Sequence, residues 1–281
     1  MNDNYRLFKL VRMIKPAARE ENAIIDSSLV ANNVSNGNVN ILNKLILKIP
    51  ELNTSKWVSC SFLFYNCANL QTIPDLDTYN TKNMESMFRD CVSLQTIPNL
   101  DTSNVTNMTY MFYGCTNLQT IPNLNTSKVS NIEYIFSRCT NLQTIPSLDT
   151  SAVTKMGYMF KECRNLIEIP SLDCSMVRDL RDMFHLAPNI INIGGLINVG
   201  KAFTQKTVNY MYYRLNFASP TKLTHESLMN IINNLYDLNL TYDVANGGTL
   251  YTQTLCLETT NMAKLTAEEI AIATNKGWTV S

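Results

Sequence analysis

The stretch LDTSNVTNMTYMFYGCTNLQTIPNLNTSKVSNIEYIFSRCTNLQTIPSLDTS, residues 100–151, holds near-copies of one unit. Cys, Thr, Asn, Leu, Gln, Thr, Ile and Pro return at fixed spacing while the residues between them vary. Within this stretch and on both sides of it, Ile-Pro recurs at 49–50, 73–74, 97–98, 121–122, 145–146 and 169–170, always 24 residues apart. A fixed period of this size is the signature of a solenoid, in which one supersecondary unit stacks on the next.

Each position in the unit has a physical role. Leu52, Leu76, Leu100, Leu124, Leu148 and Leu172 follow the Ile by three residues. A polar turn comes next, as in Asp101-Thr102-Ser103. Such side chains bond nearby backbone groups and favour turns and helix starts. Met108, Met111, Phe112 and Cys115 then follow at i, i+3, i+4, i+7, the spacing of one face of a short helix. Phe64, Phe88, Phe112, Phe136, Phe160 and Phe184 keep one place in all copies. Leu118–Ile121 and its equivalents read as a short strand, ended by a Pro that has no N–H to give a ladder. The expected fold class is therefore α/β, with short parallel strands and short helices sharing a continuous core. Strands ~4.8 Å apart would give a six-rung sheet roughly 25–30 Å wide.

Cys67, Cys91, Cys115, Cys139 and Cys163 share one repeat position, which Ala187 takes in the sixth copy. Successive rungs bring them within disulfide reach by Cα distance alone. Their place on the inward face beside Phe and Leu, and the Ala that replaces them, read as buried free thiols. No Cys-x-x-Cys occurs and the histidines are two, His185 and His225, so no metal site is expected. His185 occupies a variable polar slot. His225 falls in the first turn of a later helix without an obvious Cys or Asp partner.

The segment DTSNVTNMTYMFYGCTNLQTIP, with its Asp-Thr-Ser, Met-Phe and Cys-x-x-Leu elements, resembles the BspA-type leucine-rich-repeat family of bacterial surface proteins. The resemblance covers about residues 46–193. It implies a leucine-rich-repeat solenoid used for adhesion and recognition, with related repeats in phage and prophage proteins, and it brings no catalytic residues.

The ends of such a stack need caps. Residues 1–45 read as an N-terminal arm and cap, 46–193 as six repeats, and 194–281 as a degenerate repeat with a C-terminal α/β cap. In the arm, Leu7, Leu10, Val11 and Ile14 form one helical face opposite Arg6, Lys9, Arg12 and Lys15. Ile41, Leu42, Leu45, Leu47 and Ile49 lead into the first rung. At the far end, Leu228, Ile231, Ile232, Leu235 and Leu238 form a helical face, a strand is expected near 250–257, and Thr266 with Glu269 makes a capping box before a helix ending at Gly277.

The chain has 281 residues, 45% hydrophobic, so a folded core is expected. Lys plus Arg equals Asp plus Glu at 23 each, which gives no electrostatic reason to expect nucleic acid. No apolar run reaches the ~18 residues of a transmembrane helix. Cations interrupt the N-terminal apolar residues, so no signal-peptide core of roughly 7–15 residues forms there. No nucleophile elbow, phosphate loop, dinucleotide fingerprint or zinc-protease motif is present, and no enzyme activity or cofactor is expected.

Two sets of positions are candidates for ligand binding. Gln71, Thr72, Gln95, Thr96, Gln119, Thr120, Gln143 and Thr144 lie on or beside the outer face of the expected sheet. They form either a self-bonded ladder or a polar strip for a glycan or peptide. Tyr110, Tyr134 and Tyr158 share the slot before Met-Phe. They either pack against a neighbouring turn or offer an aromatic contact surface, which Tyr210, Tyr212 and Tyr213 would extend. The function expected is non-catalytic recognition or adhesion toward a protein or glycan, extracellular at a cell surface or on a phage particle. The alternative is a structural virion component bound to other virion proteins through its N-terminal arm.

Overall fold

The computed structural model describes residues 52–204, 214–241 and 253–281. The N-terminal arm, its lead-in to the first rung, Tyr210, Tyr212, Tyr213 and the start of the strand expected near 250–257 lie outside the described residues. The fold is mixed α/β, with short parallel strands and few short helices.

The 24-residue period is the register of the structure. Parallel bridges join Ser59 to Asn83, Asn83 to Asn107, Asn107 to Asn131, Asn131 to Lys155, and Lys155 to Asp179. Each rung thus lies directly over the next. The expected helix in each rung is a run of turns instead. Met108, Tyr110, Phe112 and Gly114 send their N–H groups to Asn131, Glu133, Ile135 and Ser137 carbonyls on the next rung, at 2.9–3.1 Å. The residues between them close tight turns: Met111 to Met108, Tyr113 to Tyr110, and Cys115 to Phe112, each at 3.1 Å. Thr109 N–H is taken by Asn107 Oδ1 at 3.0 Å. Every donor from 108 to 115 is therefore paired, and none makes the i→i−4 bond of an α-helix.

Two columns of left-handed residues make this path possible. Phe62, Ser86, Tyr110, Tyr134, Tyr158 and Asp182 form one, with φ between 49° and 60°. Asn66, Asp90, Gly114, Arg138, Glu162 and Leu186 form the other. A left-handed non-Gly residue costs about 1–2 kcal/mol, which interrupts helix propagation and which the inter-rung bonds and core burial offset. The inward positions keep the i, i+3, i+4, i+7 spacing all the same. Met108, Met111, Phe112 and Cys115 are wholly buried.

The parallel pairing is also placed differently from the expectation. The wide sheet through Leu-Gln-Thr-Ile is not found among the described residues. Two short pairs form at its end: β1 (Glu168–Ile169) with β3 (Asn192–Ile193), and β2 (Leu172–Asp173) with β4 (Leu196–Ile197). The reason is the proline. Pro74, Pro98, Pro122, Pro146 and Pro170 have no N–H, whereas Gly194 takes that place one rung later and donates to Ile169 O at 2.9 Å.

The phenylalanines form the spine. Rings 64, 88, 112, 136, 160 and 184 stack face to face at 5.5–6.1 Å between centroids. The column continues past the repeats: Phe217 stacks on Phe184 at 4.9 Å. The threonines of the polar turns tie rungs together, with Thr54, Thr78, Thr102 and Thr126 Oγ1 donating to carbonyls of Asp77, Asp101, Asn125 and Asp149 at 2.7–3.0 Å.

Beyond residue 200 lies a three-stranded parallel sheet in the order β5 (Arg214–Asn216), β6 (Gln253–Cys256), β7 (Trp278–Val280). Helix α1 (His225–Asn234) starts at an N-cap, Thr224, whose side chain accepts from Ser227 N–H. Helix α2 spans Glu258–Met262 and α3 spans Ala267–Asn275. The Thr266–Glu269 capping box is present, and Gly277 follows the helix in a left-handed conformation, φ 83°. Leu228, Ile231 and Ile232 on α1, and Leu235 and Leu238 after it, are all buried.

Helix α1 lies against β3 and supplies the hydrogen bonds a further rung would give. Ser227 Oγ donates to Ile191 O and accepts from Ile193 N–H, both at 3.0 Å. Thr224 N–H also reaches Ile191 O at 3.0 Å. One hydrophobic cluster runs from Leu52 through every rung to Trp278.

Candidate binding surface

Tyr110, Tyr134 and Tyr158 occupy the first left-handed column, which aims their side chains along the outside of the turns rather than into the core. The three rings stack at 4.4 Å, nearly parallel, with interplanar angles of 7–8°. Tyr113 meets Tyr110 edge-on at 5.6 Å. All four rings are half-buried.

Both ends of this stack are covered by cations. The Arg89 guanidinium lies 4.9 Å from the centres of both Tyr110 and Tyr113. At the other end, Lys161 and Arg181 lie 5.4 and 5.7 Å from Tyr158. Ring faces are therefore occupied, and the edges and hydroxyls are what the column presents. Burial pushes the Tyr134 phenol far up, and the Tyr110 and Tyr158 phenols add to this. The Tyr110 phenol is also raised, chiefly by burial. Both shifts keep the Tyr110 and Tyr134 phenols neutral at physiological pH. Charges rim it in pairs: Arg89–Asp90 at 3.4 Å, Arg138–Glu162 at 3.6 Å, and Arg181–Asp179 at 2.7 Å.

The sequence pattern points to the tyrosines but not to these arginines. They sit in the variable slots on either side of Met-Phe, and only stacking across rungs brings them to the rings. Recurring Arg or Lys at 89, 138, 161 and 181 is the available signal.

Gln71, Thr72, Gln95, Thr96, Gln119, Thr120, Gln143 and Thr144 are all exposed. The amide ladder runs beside them, through the asparagines. Asn141 Nδ2 donates to Asn117 Oδ1, and Asn165 Nδ2 to Asn141 Oδ1, both at 3.3 Å. The next step is broken: Asn189 Nδ2 turns to Arg164 O at 2.7 Å, and Lys222 Nζ donates to Asn189 Oδ1 at 2.6 Å. At the break lies an open concavity of about 450 Å³, lined by Gln143, Asn165, Ile167, Asn189, Ile191 and Lys222.

All eight described cysteines are buried thiols. The repeat position asks for more than a small apolar group. Cys91, Cys115, Cys139 and Cys163 each donate Sγ–H to the Phe carbonyl of the preceding rung, at 2.9–3.0 Å. Burial pushes these thiols up, far from the reactive thiolate. Among the described residues no group of three His, Cys, Asp or Glu could hold a metal ion. No helix among them is long and apolar enough to cross a membrane. His225 does have a partner: Nε2 lies 2.8 Å from Glu269 Oε1, joining α1 to α3. It is an exposed inter-helix contact. His185 is exposed, in line with its variable slot.

A chain of stacked, near-identical rungs with a continuous aromatic spine defines a repeat protein. It belongs to the family described as Mycoplasma protein of unknown function, DUF285, whose model matches residues 32–147, 83–193 and 117–219. These overlapping matches together span about two thirds of the chain, centred on the repeats. No curated protein matches the chain.

Proposed function

We propose that the chain is a non-catalytic recognition protein, a leucine-rich-repeat solenoid of the kind its BspA-like motifs imply, acting in adhesion at a cell surface or on a phage particle. The C-terminal unit caps the stack. The observation that carries this reading is the tyrosine column. Three rings fixed at 4.4 Å and held between cations are ordered before any partner arrives, so binding costs little side-chain entropy. Tyr edges combine apolar area with a hydroxyl, and a rim of paired charges surrounds them. That composition suits a protein partner. On this column a sugar ring would have to stack on a tyrosine face, and both ends of the column are covered.

The test is a binding screen of the purified full-length chain against bacterial and host cell surfaces, their extracted surface proteins, and an array of glycans. A saturable protein ligand, lost on Tyr110→Asn/Tyr134→Asn/Tyr158→Asn with the fold retained, is expected. Turnover of a substrate by the chain, or binding of a protein ligand that the triple variant leaves unchanged, would overturn the reading.

A further inference from the structure

The concavity at the junction of the repeats with the C-terminal unit has its own chemistry. In the column that reads Gln71, Gln95, Gln119 and Gln143, the next two members are Ile167 and Ile191. The polar strip thus gives way to an apolar floor, and Ile167 is among the exposed large hydrophobic residues of the molecule. Beside it the asparagine ladder breaks between Asn165 and Asn189. Among the described residues no donor reaches Asn165 Oδ1, and the exposed Gln143 amide has no partner. Lys222, from the segment before α1, closes one side. It donates to Asn189 Oδ1 at 2.6 Å, and no described carboxylate lies within ion-pair distance of it. Glu168, next to the floor, is engaged by Asn192 Nδ2 at 3.2 Å.

We propose that this concavity binds an acidic monosaccharide unit of a glycan: a ring with an apolar face, several hydroxyls and one carboxylate. The ring face lies on Ile167 and Ile191. Hydroxyls bond to the Gln143 and Asn165 amides, which both donate and accept. The carboxylate meets the Lys222 ammonium. The volume, about 450 Å³, suits one or two sugar residues. A peptide fits less well, because strand addition needs a free backbone edge. Here Ile167 N–H is bonded to Gln143 O and Ile191 N–H to Ile167 O, both at 2.9 Å. The site shares the recognition role proposed above but none of the tyrosine column's residues, so each can fail alone.

The probes are glucuronate, N-acetylneuraminate, methyl glucoside and a dipeptide with a free C-terminal carboxylate, read by saturation-transfer NMR on the full-length chain. Transfer from an acidic sugar is expected, stronger than from methyl glucoside or the dipeptide. It should weaken about fivefold or more in Lys222→Gln, the worth of roughly 1 kcal/mol for one exposed charge pair. Gln143→Ala should weaken it too, whereas Tyr134→Asn should not. Three results would overturn the proposal: no transfer from any sugar up to about 20 mM, well above a millimolar dissociation constant; equal binding of the dipeptide; or acidic-sugar binding indifferent to both Lys222→Gln and Gln143→Ala.

Discussion

Replacing Phe112 by Ala tests the spine directly. The ring is wholly buried and sits between Phe88 at 5.6 Å and Phe136 at 5.9 Å. Truncating a buried Phe costs about 3–5 kcal/mol, through lost transfer energy and an unfilled cavity. The site has little means of collapsing, because inter-rung hydrogen bonds fix the spacing of the backbones on both sides. The upper half of that range is therefore expected. Phe112→Leu fills most of the volume and should cost less than half as much. Guanidinium unfolding gives the assay, with one tryptophan near each end: Trp57 in the first described rung and Trp278 in β7. In a repeat stack, stability sums intrinsic and nearest-neighbour terms, and this variant weakens two interfaces at once. The Trp57 and Trp278 transitions should therefore separate in Phe112→Ala if the stack uncouples there. A loss below about 1 kcal/mol with coincident transitions would show that the column is not a packed core layer.

The repeat thiols should resist an alkylating reagent in the native protein and react fully after denaturation; inter-rung disulfides found by mass spectrometry of unreduced protein would refute this. Tyr134→Asn should change stability by no more than about 3.5 kcal/mol, since the relief of a left-handed backbone (about 1–2 kcal/mol) opposes the loss of three ring contacts, to Tyr110, Tyr113 and Tyr158 (about 0.5–1.5 kcal/mol each). A larger loss would place the ring in the core. The Glu269 carboxyl is lowered first by the Thr266 backbone bond and then by His225. A lowered folded pKa means stabilisation present above the unfolded value and lost as pH falls through the folded one. Glu269→Gln should flatten the acid limb of a melting-temperature profile below about pH 4.5, near the ordinary carboxylate range. An unchanged limb would show that this cap does not contribute.

The 24-residue register, the phenylalanine column and the buried thiols were legible because each is a residue recurring at one place. The turn run was not. The spacing of Met108, Met111, Phe112 and Cys115 reports which residues point inward, and a helix and a chain of four-residue turns share that answer. The distinguishing signal lay in the outward residues. Asn66, Asp90 and Gly114 all tolerate left-handed backbone and all fall in one column. The missing wide sheet was readable from the recurring prolines, whose effect reaches further than the end of a strand. Phe217 was hidden, since it completes the spine 33 residues after Phe184 and outside the period. At the candidate surface the tyrosines were legible and their arginine partners were not, because cation–ring contacts join different rungs from variable slots.

Removing residues from Thr224 onward tests whether the C-terminal unit is a cap. Ile190, Ile193, Leu196 and Val199 are now at most 1% exposed, and the cut leaves them beside an unpaired strand. Phe217 stays in the shortened chain but loses β6, to which its N–H is bonded through Cys256 O at 2.7 Å. An apolar patch next to an open edge is a template for association. The shortened chain should therefore aggregate while retaining repeat-type secondary structure. Ser227→Ala supplies the complementary measurement. Helix α1 remains and still excludes water, so Ile193 N–H loses its acceptor while buried; Ile191 O keeps the bond from Thr224 N–H. One stranded donor costs about 1–3 kcal/mol. Truncation, by contrast, lets water reach both groups, and its penalty comes from apolar exposure and self-association. The two variants thus fail differently: Ser227→Ala as a monomer with a lowered melting temperature, the truncation as an aggregate. A truncated chain that is monomeric and melts at the full-length temperature would mean that α1 and the sheet behind it are an independent domain, and that the stack closes itself without them.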